Sequence, residues 1–94
     1  MSNTIKHIAI RVHGKVHGVF FRASTREKAH ELGITGFAQN EEDGTVYIEA
    51  EGTPAALKQL EQWAHEGPRK ARVEKVEVQE MKELVGFKEF KVKR

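Results

Sequence analysis

The sequence predicts an α+β domain: one antiparallel sheet carrying two helices on the same face. Three observations lead there. The strand-like stretches alternate apolar and polar residues, so each has one face to bury and one to leave wet. Two other stretches place apolar residues at helical spacing. The order is strand, helix, strand, strand, helix, strand, followed by one short terminal strand.

Residues 5–12 are the first predicted strand, with Ile8, Ile10 and Val12 alternating with Ala9 and Arg11. A glycine loop is expected at 13–20. Residues 21–32 predict a helix whose stripe is Phe21, Thr25, Ala29 and Leu32, with Gly33 as a left-handed terminator. No capping side chain precedes this helix, so the loop backbone or a bound anion is expected to cap it. Residues 34–40 give a second strand, weakened by Gly36, and Glu41-Glu42-Asp43-Gly44 a hairpin turn. Residues 45–51 give a third strand, in which Val46, Ile48 and Ala50 point one way and Tyr47, Glu49 and Glu51 the other. Thr53 is placed as N-cap of the second helix and Pro54 as its first residue. Leu57, Leu60, Trp63 and Ala64 form its buried stripe, and Gly67-Pro68 stops it. Residues 69–72 are basic and loop-like; residues 73–79 form a fourth strand, with Val73 out of step with Val76 and Val78, as at a bulge. Residues 87–92, with Phe90 and Val92 alternating, make the last strand. With right-handed crossovers this is the split βαβ, ferredoxin-like arrangement, and residues 1–94 are expected to form a single domain.

Composition narrows the function. Charged residues are 32% and hydrophobic ones 38%, the balance of a folded domain with a charged surface. Sixteen Lys and Arg against fourteen Asp and Glu leave a net charge of only +2, a weak sign of nucleic-acid binding. The absence of cysteine excludes disulfides, thiolate metal sites and a cysteine nucleophile. His7, His13, His17, His30 and His65 lack the spacing of paired metal ligands. Glu41, Glu42 and Asp43 read as a solvated turn, and Trp63, Phe37 and the Phe20-Phe21 pair as core. Lys88, Lys91, Lys93 and Arg94 read as a charged, soluble edge. No charged-then-apolar leader and no membrane-length run is present, so a cytoplasmic monomer with no membrane or nucleic-acid partner is expected.

The chemistry concentrates in Gly14-Lys15-Val16-His17-Gly18-Val19-Phe20-Phe21-Arg22. Gly14 and Gly18 let the backbone curl, and a curled backbone gathers N–H groups into an anion-binding hollow. The N-terminus of the following helix adds to it, and Arg22 supplies a planar fork of donors suited to phosphate. The phosphate-binding loop is assigned to Lys15, Val16, His17, Gly18, Val19, Phe20 and Phe21. Topology brings in a distant partner. The first and second strands run parallel, so the loop and Asn40 lie at the same end of the sheet.

The loop has neither a Walker nor a dinucleotide fingerprint, and the hollow has no carboxylate pair and no nucleophile–base pair. An anion cradle, one arginine and one neutral amide remain. They can stabilise a phosphoryl transition state by position and charge, with Asn40 holding a water. Such a site needs a good leaving group, and the carboxylate of an acyl phosphate is one. Two alternatives stay open: a non-catalytic phosphate or acyl-phosphate binding module, and an RNA-binding ferredoxin-like domain. Against the latter, Tyr47 sits beside Glu49 and Glu51 on the outward face, and no RNP-type run is present.

The run from Val12 to Arg22 resembles the first signature of the acylphosphatases, and Gly36-Phe37-Ala38-Gln39-Asn40 with Gly44-Thr45-Val46 and Gly52 resembles the second. Gly67-Pro68, Ala71, Val73, Val76 and the closing Phe90-Lys91-Val92 resemble later landmarks of that family. The resemblance implies hydrolysis of small acyl phosphates, with inorganic phosphate as product or inhibitor. It implies that Arg22 binds the phosphate with the loop amides and that Asn40 orients the attacking water. It implies no metal, cofactor or phosphoenzyme. His17 stands where the family usually has glutamine, a change expected to be tolerated and to add pH dependence near neutrality.

Overall fold

A computed structural model describes residues 4–93; Arg94 of the charged tail lies outside the described residues. The elements are β1 (Lys6–Lys15), α1 (Phe21–Leu32), β2 (Thr35–Asn40), β3 (Val46–Gly52), α2 (Pro54–Glu66), β4 (Arg72–Met81) and β5 (Phe90–Lys93). They build one sheet in the order β4-β1-β3-β2-β5. β1 runs antiparallel to β3 and β4, and β2 antiparallel to β3, as expected. β5 lies parallel to β2, so the complete sheet is mixed and not wholly antiparallel.

The helices behave as their patterns require. Phe21, Thr25 and Ala29 of α1 and Ala56, Leu57, Leu60 and Ala64 of α2 are buried. They meet Ile10, Val12, Ala38, Val46, Ile48 and Ala50 from the sheet in one core. Burying each large side chain of this set stabilises the fold by about 1.5–3 kcal/mol. The α2 N-terminus is closed by Thr53, whose Oγ1 accepts the Ala56 N–H at 3.2 Å. Gly33 ends α1 at φ 70°.

Several expectations are corrected. β1 does not stop at residue 12 but continues to Lys15. Its pairing with β4 steps from His13↔Lys75 to Gly14↔Val73, which leaves Glu74 as the extra residue of a bulge. The bulge read from Val73 is therefore present, and it lets Val73 and Val76 both pack against the core. Gly14 has φ 126°, and a Cβ there would stand 2.1 Å from the Arg72 carbonyl oxygen. Gly14 thus serves the approach of β1 to β4; it is not part of the anion hollow. The last strand begins at Phe90 instead of residue 87.

The outer face of the sheet is not uniformly wet. His7 is 3% exposed and Glu51 4%, because residues 82–89 cross over them on the way to β5. The Glu51 carboxylate accepts the backbone N–H groups of Val85, Gly86 (3.0 Å) and Phe87 (3.2 Å). His7 Nδ1–H donates to the Glu83 carbonyl at 2.7 Å, and Nε2 faces Glu49 Oε1 at 2.9 Å. Both ring nitrogens thus face oxygen atoms of neighbouring residues. Tyr47 donates to Glu49 at 2.8 Å, and burial first, then that carboxylate, pushes its hydroxyl up to about 12.

Candidate active site

Two valines pin the loop between β1 and α1. Val16 and Val19 turn into the core, at 1% and 6% exposure. The backbone between and after them must turn sharply to do so, and Gly18 (φ 71°) and Phe20 (φ 62°) both adopt left-handed conformations. Left-handed residues spaced this way gather N–H groups on one side. Phe20 is the N-cap of α1 without a side-chain cap bond, and the first turn holds no acidic residue. The first helical bond runs from Ser24 N–H to Phe20 C=O at 3.0 Å. The N–H groups of residues 18–23 have no backbone acceptor among the described residues. Of the two caps expected for α1, the loop backbone does not supply one among the described residues, and the positive end of the helix is left open.

That end of α1 faces a hollow of about 320 Å³ lined by Val16, Gly18, Phe20, Phe21, Arg22, Ala23, Asn40 and Val92. Arg22 and Asn40 are therefore brought together, as the parallel relation of β1 and β2 implied. Lys15, His17 and Val19 do not line it: Lys15 is exposed at the end of β1, His17 leans toward the hairpin, and Val19 is core. Phe20 corrects a second expectation. It is not core but 78% exposed, whereas Phe21 is 1% exposed and packs on Trp63 with ring centroids 5.5 Å apart.

β5 contributes what the sequence did not reveal. Arg22 Nη1–H donates to the Lys93 carbonyl at 2.6 Å, and Val92 forms a wall of the hollow. The bond to Lys93 orients the guanidinium and leaves other donors of its fork for an anion. The only signal for β5 was the alternation of Phe90 and Val92, and alternation carries no strand direction.

Asn40 ends β2 opposite Val46, at the start of a tightly bonded hairpin. Glu41 N–H donates to the Thr45 carbonyl at 2.9 Å and Gly44 N–H to the Glu41 carbonyl at 3.1 Å. Asp43 Oδ1 accepts both the Thr45 hydroxyl (2.6 Å) and the Thr45 N–H (3.0 Å), and Arg11 Nη1–H donates to Thr45 Oγ1 at 2.9 Å. The side-chain and backbone bonds from Thr45 hold the Asp43 carboxyl below its ordinary 3.8. A lowered carboxyl stabilises above its ordinary pKa and loses that contribution as pH falls through the folded value, so the hairpin bonds persist through neutral and weakly acidic pH.

His17 links this hairpin to the loop: its Nε2–H donates to the Thr45 carbonyl at 2.8 Å. Because Thr45 C=O keeps the Glu41 N–H, removing His17 leaves no orphaned acceptor; only the tie is lost. His17→Ala is expected to lower kcat/KM about 2–10-fold, the worth of one net hydrogen bond, and His17→Gln to restore it. Steady-state kinetics of the two variants check this; equal loss in both would show that the tie to Thr45 is not what matters.

Electrostatically the hollow favours an anion. It combines the Arg22 guanidinium with an open helix N-terminus, and no carboxylate among the described residues lines it. Among the described residues no group of three or more His, Cys, Asp or Glu is arranged to hold a metal ion.

Comparison with known proteins agrees with this geometry. The acylphosphatase family model matches residues 8–92. An acylphosphatase of Marinobacter nauticus is 49% identical over 88 residues, covering 94% of this chain and 96% of that protein. One of Salinibacter ruber is 45% identical over 93 residues, covering 99% of this chain and 98% of that protein. The solved structure of an acylphosphatase from Coxiella burnetii matches with a TM-score of 0.91 at 38% identity, covering 95% of this chain and 93% of that one.

Proposed function

The chain belongs to the acylphosphatase family and hydrolyses acyl phosphates, and on that premise we propose how its residues carry out the reaction. The phosphoryl group rests on the N–H groups of the loop and the first turn of α1, with Arg22 closing over its oxygens. Asn40 holds a water through its side-chain amide, aligned with phosphorus. The water oxygen bonds to phosphorus as the bond from phosphorus to the carboxylate oxygen breaks. The carboxylate leaves with that electron pair, and the water proton passes to a phosphate oxygen or to solvent. No side chain is phosphorylated, and no base is needed, because the leaving group is weakly basic and the transition state is loose. Arg22 and the amides gain most where negative charge spreads over the equatorial oxygens.

The observation that supports this best is the shared hollow of Arg22, Asn40 and the open end of α1. The donor set there suits an anion and not a divalent cation, since no carboxylate among the described residues lines it. The expected outcome is full release of phosphate from benzoyl phosphate in excess chelator, with competitive inhibition by inorganic phosphate. Activity abolished by chelator and restored by Mg²⁺ would sink the metal-free route; an absence of competition would count against the cradle as the phosphate site.

The reading extends to a single domain acting as a cytoplasmic monomer on a small molecule, without nucleic acid. The outer face argues against base stacking: Arg11 lies over the Tyr47 ring at 5.1 Å and Lys93 over the Phe37 ring at 4.1 Å. No helix among the described residues is long and apolar enough to cross a membrane.

A further inference from the structure

We propose that Phe20 is a specificity-determining residue: its ring receives the acyl part of the substrate, so the enzyme favours acyl phosphates with aromatic or bulky apolar acyl groups over acetyl phosphate. The fold itself gains little from this side chain. It is 78% exposed, more than any other large hydrophobic residue among those described. It caps α1 without a side-chain bond. It is also the one non-glycine residue with positive φ among the described residues, a conformation that glycine or asparagine would adopt at less cost. A bulky ring held in a disfavoured conformation, outside the core, points to a role in the site it borders.

That site has two halves. Arg22, Asn40 and the open N–H groups form a polar half. Phe20 and Val92, the latter 39% exposed, border the same hollow with apolar surface. An acyl phosphate has the same two halves, and its acyl carbon lies only two bonds from phosphorus. With the phosphoryl group in the polar half, the acyl substituent reaches the apolar border. A methyl group covers little of an aromatic ring, whereas a benzoyl ring meets it over a large area. The inference rests on the phosphoryl position proposed above.

The test compares kcat/KM for benzoyl phosphate and acetyl phosphate in the wild type, Phe20→Gly, Phe20→Asn and Phe20→Tyr. Glycine and asparagine tolerate the left-handed conformation, so one or both variants should fold, checked by circular dichroism and thermal melting. The expected result is a benzoyl-to-acetyl ratio that falls about tenfold in the glycine and asparagine variants, chiefly through KM, and is kept in the tyrosine variant. Val92→Ser should lower the ratio in the same direction. An unchanged ratio in folded Phe20→Gly or Phe20→Asn would overturn the inference while leaving the mechanism intact. Full activity on both substrates in Arg22→Ala would instead remove the phosphoryl site and the inference together.

Discussion

Arg22→Ala is expected to lower kcat about 10²–10³-fold and to raise KM, whereas Asn40→Ala is expected to lower kcat by a similar factor with KM nearly kept. The two residues share a hollow, and the proposed mechanism gives them different roles. In that mechanism Arg22 meets the phosphoryl oxygens in the bound substrate and more strongly as charge builds on them, so its loss would weaken both states. Asn40 there meets the water, not the substrate, so its loss would leave binding in place and misplace the nucleophile. Neither change should unfold the protein. Arg22 is partly exposed and tied by one bond to Lys93, and Asn40 keeps its backbone pairing opposite Val46. Arg22→Lys separates charge from geometry: it keeps the cation and loses the planar fork, and should recover only a small part of the rate. Steady-state kinetics on benzoyl phosphate, with a melting curve for each variant, decide the matter. A folded Asn40→Ala with wild-type turnover would remove the water-holding role.

The residues that could be read ahead of the structure were those whose setting is local or fixed by topology. Phe21, Thr25 and Ala29 share a helical stripe, and Val46, Ile48 and Ala50 share one strand face, so their burial follows from periodicity. Thr53 and Pro54 announce a helix start by their own chemistry. Arg22 and Asn40, distant in sequence, could be joined because β1 and β2 run parallel on either side of β3, so both end at the same end of the sheet. Phe20 shows where such reading stops. Its hydrophobicity is that of Phe21, but the helix phase turns one ring inward and the left-handed cap turns the other out. Gly14 and Gly18 look alike as letters; the first admits β4 and the second bends the loop. Glu51 looked wet because it alternates with Ala50, and alternation cannot reveal that residues 82–89, which carry no periodicity, fold over it.

Glu51→Ala is expected to destabilise the protein by roughly 3–5 kcal/mol, the loss typical of removing one partner from a buried charged network. The carboxylate is the shared acceptor for the N–H groups of Val85, Gly86 and Phe87, and His7 Nδ1 stands 3.7 Å from it. Alanine leaves those donors without their acceptor and takes away one of the two carboxylates beside His7, that of Glu49 remaining. Glu51→Gln is expected to fail nearly as badly, because its amide offers one acceptor oxygen and turns a donor toward donors. For a chain of this size the loss corresponds to a fall in Tm on the order of 20 °C, a large share of the 5–15 kcal/mol that usually holds a domain together. The effect should also reach the hollow. The strap anchored by Glu51 leads directly into β5, which seats Phe90 in the core and offers the Lys93 carbonyl to Arg22. A loosened strap lets β5 fray and releases the guanidinium, so the variant assayed well below its Tm should show a raised KM for benzoyl phosphate. Glu49→Gln, at a partly exposed carboxylate that takes bonds from His7 and Tyr47 but none from the strap, should cost less stability and leave KM alone. Equal stability of Glu51→Ala and wild type would show that the strap is held by its rings and side chains, not by the buried carboxylate; a stability loss with unchanged KM would separate the strap from the active site.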